Sequence, residues 1–364
     1  VPKWSDFGNI FSTLRELDVN AIRDEAERQL QIAIVGHDTA LDEIDRLLHS
    51  GASRYPAGPN PLDYIRVGQI AERGHLVNGS DLVILALDAR NPLSEADAAA
   101  FSQLDRINSP FLIVLLFAER LPTSEADLPR SLQARTLALP DPHALEAADT
   151  LASTIFSQLS TDLHLSAARR LAGVRGVYAR DLIGSTSFTN ATYALASGLP
   201  EQIPILSVPF AAADILVLTK NQAMLVYKLA LAYGAQADFQ ARIREVLPVI
   251  GGAFLWRQAA RSLIGLIPIW GLVPKIAVAY AGTYTTGVAA WRWYDSGEIV
   301  STSQLKRISN EAIKTGRARA KELIDKAKAT GTRIQGTNRG FFAKLKGLVT
   351  RKKPAELPPP SDQE

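Results

Sequence analysis

The 364-residue chain has no cysteine, which excludes disulfides, thiolate metal sites and a cysteine nucleophile and fits a cytosolic or cytosol-facing protein. Its five histidines (His37, His49, His75, His143, His164) are scattered, without H-E-x-x-H or a comparable metal spacing. A G-x-S-x-G nucleophile elbow and a G-x-G-x-x-G dinucleotide fingerprint after a strand are both missing. No pair of carboxylates stands out as a catalytic dyad. The N-terminal stretch lacks the charged, apolar and small-residue order of a secretory signal. These absences lead to the expectation of a non-enzymatic protein with no cofactor and no metal.

What is present is the composition of a folded protein, 47% apolar and 21% charged. Its length suggests two domains, since single cores stop growing near 250–300 residues. The net charge of +3 is unevenly spread: residues 1–305 hold 25 Lys/Arg and 31 Asp/Glu (−6), residues 306–353 hold 15 and 3 (+12), and residues 354–364 hold 3 acids (−3). A basic tail on a mildly acidic body points to an anionic surface as partner.

Along the chain, Trp4, Phe7, Ile10, Phe11, Leu14 and Leu17 recur at helical spacing, and a second helix is expected near 20–30. From 31 to about 140, strands alternate with helices. Strands are expected at 31–35, 63–67, 81–87, 110–117 and 135–139, and helices at 41–48 and 94–104. Runs such as LVILAL and FLIVLLF are apolar throughout, as in strands of a parallel sheet covered on both faces. The expectation is a doubly wound α/β domain followed by an all-α part. The Gly/Pro-rich segment 51–61 reads as a surface loop. Composition divides the chain into N-terminal helices (1–30), the α/β domain (31–150), a helical domain (151–300), a basic amphipathic tail (301–353) and a Pro-rich acidic end (354–364).

The first strand leads to Gly36-His37-Asp38-Thr39-Ala40-Leu41-Asp42-Glu43, where a phosphate loop would read G-x-x-x-x-G-K-[ST]. The first glycine is present. Leu41 stands at the second glycine, Asp42 at the lysine and Glu43 at the magnesium-binding hydroxyl. A carboxylate about 4 Å from a phosphate charge repels it by roughly 4 kcal/mol at an effective dielectric of 20. Two of them offset most of the affinity of such a loop.

On these residues and on the segment 76–114, residues 31–140 resemble the GTPase domains that precede a YcjF-like, GTPase-associated membrane domain in bacterial proteins. The resemblance implies a P-loop-GTPase-like ancestry. The other motifs of that family fail as well. No Asp-x-x-Gly element occurs near 67–74, and the guanine-reading Asn-Lys-x-Asp is replaced by Phe117-Ala118-Glu119-Arg120. Residues 186–298 resemble the YcjF-like domain more closely, over 186–206, 225–234 (LVYKLALAYG) and 252–297. That likeness implies a helical, membrane-associated domain.

Length constrains the membrane reading. Segment 262–274 spans roughly 20 Å as a helix and 276–291 roughly 24 Å, against a hydrocarbon core of about 30 Å. A hairpin is therefore expected, with Trp270-Gly271-Leu272-Val273-Pro274-Lys275 as its turn. Arg257, Arg261 and Arg292 would flank it on the cytoplasmic side, and Trp256, Trp291 and Trp293 would sit at headgroup level. In 303–328, apolar residues at three- and four-residue spacing run through a basic helix, and Phe341, Phe342, Arg351, Lys352 and Lys353 extend the pattern. Such a helix reads as a membrane-surface or partner-binding element. The expected partners are an anionic cytoplasmic leaflet and an unidentified protein, with self-association left open. Nucleic acid is disfavoured, since no nucleic-acid-binding fold is recognisable. The resulting reading is a membrane-associated pseudo-GTPase acting as scaffold or adaptor. The alternatives are a GTP-binding protein with an unorthodox site and a soluble helical-bundle interaction protein.

Overall fold

The structure, a computed structural model, describes residues 19–51, 55, 58–104, 106–119, 123–124, 127–197, 212–249 and 272–329. The expected helix over 4–17, the first arm of the hairpin and the segment from 330 onward lie outside the described residues.

Helix α1 (Asn20–Glu27) precedes β1 (Ile32–Gly36), α2 (Asp38–His49) and β2 (Leu62–Arg66). Then come α3 (Gly74–Gly79), β3 (Leu82–Asp88), α4 (Glu95–Leu104), β4 (Phe111–Leu116), α5 (Arg130–Gln133) and β5 (Thr136–Leu139). The five strands form one parallel sheet in the order β2-β1-β3-β4-β5. Each expected strand is found within a residue or two of its place. The central strands β1, β3 and β4 are buried on both faces, which is why their sequences do not alternate. On one face, Val35, Val83, Leu85, Ile113 and Leu115 pack with Ile65, Val77, Phe101 and Leu132. Each such buried aliphatic side chain contributes about 1.5–3 kcal/mol. Helix α2 buries Ala40, Leu41, Ile44, Leu47 and Leu48, a helical stripe that docks it on β1 and β3.

The remaining described elements are helical: α6 (Ala147–Gln158), α7 (His164–Arg170), α8 (Arg175–Ser197), α9 (Ala212–Ala232), α10 (Phe239–Val249), α11 (Leu272–Ser296) and α12 (Thr302–Ala329). Packing divides the chain into two compact units, one made of Val1–Arg180, Ala223–Ile250 and Ala289–Val300, the other of Asp181–Gln222, Gly251–Val288 and Ser301–Glu364. The division falls within α8, α9 and α11.

In the first unit, polar contacts tie the returning helices to the sheet-bearing part. Lys228 pairs with Glu25 at 2.8 Å. Arg169 donates to the carbonyls of Leu231 and Ala235, both at 2.9 Å. Those carbonyls close α9, where Gly234 adopts φ +86° and the Ala235 amide returns to Ala230 O at 3.0 Å. A glycine at this left-handed position ends the helix without strain.

The second unit has a small apolar core of Ala191, Ala194, Leu195, Ile276, Ala279, Tyr280, Ala320 and Leu323. Buried polar side chains lock the helices beside it. Asn190 donates to Thr283 Oγ1 at 2.7 Å and accepts from Asn221 at 2.6 Å, and Gln222 donates to Thr283 at 3.3 Å. Such buried groups are tolerated because they satisfy one another.

The expected hairpin turn is corrected in part. Leu272–Lys275 are the first turn of α11, which runs on to Ser296. Pro274 fits there because the first turn of a helix has no intrahelical acceptor for its amides. No helix among the described residues is long and apolar enough to cross a membrane.

A Cβ on Gly316 of α12 would lie 2.9 Å from Ala277 O and 3.0 Å from Ala277 Cα, whereas one on Gly282 of α11 would meet only Gln222 Nε2 at 3.8 Å. The same substitution therefore has opposite expected outcomes. Gly316→Ala separates two backbones and lowers stability by about 1–3 kcal/mol. Gly282→Ala is neutral or stabilising by up to about 1 kcal/mol, as helix interiors favour alanine. Urea unfolding of the two variants measures both.

Candidate functional site

Ligands of open parallel sheets bind beyond the carboxyl ends of the strands, where the strand order reverses. Here that point lies between β1 and β3, which leave the sheet in opposite directions of the order. The edge is built by residues 36–46, Arg66, 88–91, 117–119 and 139–143, each following a strand or opening the next helix.

Gly36 has a packing reason to be glycine. It pairs with Ala86 of β3, and a Cβ there would lie 2.8 Å from Ala86 O. After it the chain enters α2 through one residue. His37 has extended backbone angles, and its carbonyl accepts the Ala40 and Leu41 amides, both at 2.9 Å. A phosphate loop needs its residues between the first glycine and the helix to wrap the anion. In this chain those residues are already helix. Leu41 is buried in the core under α2 and Asp42 faces solvent. Glu43 is held by Arg46 at 2.8 Å, with His143 Nε2 3.5 Å from its other oxygen.

The cations at this edge sit on carboxylates. Arg46 binds Glu43 and donates to Pro142 O at 2.8 Å. Arg66 binds Asp38 at 2.7 Å. Arg90 binds both oxygens of Asp88, with contacts of 2.6–3.1 Å. Burial pushes the Asp88 carboxyl up, but the Arg90 hydrogen bonds and charge more than offset it, leaving it below the usual carboxylate range.

The guanidinium of Arg90 also lies 3.7 Å above the Phe117 ring, and the His143 ring centroid is 6.0 Å from that of Phe117. Phe117 follows β4 with φ +56°, a left-handed conformation that costs a bulky residue energy and persists only where packing enforces it. The segment after β4 thus holds a buried phenyl ring capped by a cation. Ala118 is tied by its amide to Leu139 O at 3.2 Å, Glu119 is exposed, and Arg120 lies outside the described residues.

A second contact at this edge joins the turn after β1 to α4. His37 Nε2 lies 3.4 Å from Asp97 Oδ1. The other oxygen of Asp97 accepts the Ser94 amide at 2.8 Å and hydroxyl at 2.6 Å, a capping arrangement at the start of α4. The Ser94-x-x-Asp97 spacing is a legible signal for the cap, but not for the histidine. Beside α2, a surface depression of about 550 Å³ is lined by Asp38, Leu41, Asp42, Asp45, Asn60, Tyr64 and Arg66. Three carboxylates against one guanidinium disfavour an anionic ligand there. Among the described residues, no group of three or more His, Asp or Glu is placed to hold a metal ion.

Of the residues expected at a membrane, Lys275 lies half-buried in the first turn of α11. Trp291 donates to Tyr233 OH at 2.6 Å, Trp293 to Glu245 at 2.9 Å, and Arg292 reaches Glu298 at 3.2 Å. Trp256, Arg257, Arg261, Trp270, Phe341, Phe342, Arg351, Lys352 and Lys353 lie outside the described residues.

A carboxylate whose folded-state pKa is depressed adds stability above its unfolded pKa, and that stability is lost as pH falls through the folded value. For Asp88 the window opens below about pH 4. Asp88→Asn is expected to lower the urea midpoint near neutral pH and to flatten its decline as the pH falls below about 4. An unchanged acid limb would show that the Asp88–Arg90 pair contributes nothing.

No protein-family model matches the sequence, and no curated protein matches it either.

Proposed function

We propose that this chain is a non-enzymatic pseudo-GTPase that acts as a scaffold or adaptor at the cytoplasmic face of a membrane. One observation carries the loss of nucleotide chemistry: β1 passes into α2 through His37 alone. Without a loop, the backbone has no concave surface for a phosphate. The side chains that would support one are a buried leucine and two acids, Leu41, Asp42 and Glu43. The strand order and its switch point are compatible with descent from a GTPase, as the sequence resemblance implies. What survives of the site is a charged rim suited to a protein partner.

The membrane part of the reading rests on the resemblance of residues 186–298 to the YcjF-like domain and on the basic C-terminal stretch. The partner would be the anionic cytoplasmic leaflet. One observation favours a second reading, a soluble helical-bundle interaction protein: no helix among the described residues is long and apolar enough to cross a membrane.

Two measurements test these readings. Titration with a fluorescent GTP analogue should give no magnesium-dependent binding at micromolar concentrations, and such binding would overturn the pseudo-GTPase reading. Fractionation should recover the protein with membranes and release it with salt or carbonate. Recovery in the soluble fraction before any extraction would favour the bundle reading instead.

A further inference from the structure

Helix α12 separates its two faces cleanly. Leu305, Ala312, Ala320 and Leu323 are buried, and Gly316 rests against Ala277 and Tyr280. The apolar stripe that would let a free amphipathic helix enter a leaflet is thus occupied by the protein's own packing. On the outer side, Lys306, Arg307, Lys314, Arg317 and Lys321 are all exposed. At about 100° per residue they fall in one sector of about 100°, over an axial length of about 22 Å. Lys314 is shared with Glu311 at 2.8 Å. Among the described residues, no carboxylate pairs with Lys306, Arg307, Arg317 or Lys321. The acid Glu322 is engaged by Arg319 and Lys326, which lie off this row. Asp325 follows one turn beyond Lys321.

We propose that the row Lys306, Arg307, Lys314, Arg317 and Lys321 is a docking face for anionic lipid headgroups, which it meets by charge alone and without inserting apolar side chains. This rests on the membrane reading above and specifies its contact. A straight row on a convex rod can touch a planar headgroup layer at every position. No aromatic residue stands in the row to stack on a base, as single-stranded nucleic acid would require. Attraction of this kind falls off within a Debye length, so it is sensitive to salt. It is also insensitive to membrane curvature, because no packing defect has to accept a side chain.

The test uses the full chain and vesicles of phosphatidylcholine with or without phosphatidylglycerol, read by co-sedimentation. Binding is expected only with phosphatidylglycerol, is expected to be reversed by salt, and to be equal on small and large vesicles. Lys306→Gln, Arg317→Gln and Lys321→Gln together should weaken it on the order of a hundred-fold, at about five-fold per cation. The charge-conserving set Lys306→Arg, Arg317→Lys and Lys321→Arg should retain it. Both sets lie on exposed helix positions, and an unchanged circular dichroism spectrum confirms the fold. Unchanged binding of the glutamine variant overturns the proposal while leaving the membrane reading in place. No binding of the unmodified chain to either vesicle overturns both. Tighter binding to a DNA duplex, lost in the same glutamine variant, overturns it in favour of a nucleic-acid face.

Discussion

β1 enters α2 through a single residue, and the rest of the sheet edge follows from that short turn. Gly36 lies so close to Ala86 of β3 that a side chain has no room, and connections between a strand and a helix in such sheets commonly take two to six residues. With His37 alone in the turn, α2 starts over the edge itself. Its first two turns carry Asp38, Asp42 and Glu43. The acids recruit the nearby cations, Arg66 on Asp38 and Arg46 on Glu43. Arg90, held by Asp88, lies over Phe117. The charges at this edge therefore largely neutralise one another in Asp38–Arg66, Glu43–Arg46 and Asp88–Arg90 pairs.

The helical part depends on close approach of a different kind. Gly316 lets α12 meet the backbone of α11 at Ala277, and Asn190, Asn221, Gln222 and Thr283 hold the neighbouring helices by hydrogen bonds. This packing uses the apolar stripe of α12. What remains on its outer side includes the exposed row Lys306, Arg307, Lys314, Arg317 and Lys321. Composition alone could not separate this case from a helix that dips its apolar face into lipid, because both carry the same amphipathic pattern.

Much of the α/β part was legible because burial on both faces leaves a local mark. LVILAL and FLIVLL read as strands covered on both faces, and they are β3 and β4. The mismatch of Leu41, Asp42 and Glu43 to a phosphate-loop pattern is a property of the residues themselves. That the helix begins at Asp38 is not readable in the same way, since a helix start differs from a loop only in backbone angles. The turn expected at 270–275 failed for a related reason. Proline and glycine signal a break, but Pro274 is equally at home in the first turn of a helix, and α11 begins at Leu272. The return of residues 223–250 and 289–300 to the sheet-bearing unit left no trace in composition.

The sequence by itself determined the alternation of strands and helices, the absence of a lysine and hydroxyl for a phosphate, and the concentration of positive charge after residue 305. These are local properties of periodicity, residue type and charge. Tertiary structure alone decided that Phe117 takes a left-handed conformation beneath Arg90, that His37 faces Asp97 and His143 faces Glu43, and that the apolar side of α12 turns inward. Those contacts join residues tens of positions apart, and only the folded chain brings them within a few ångströms of each other.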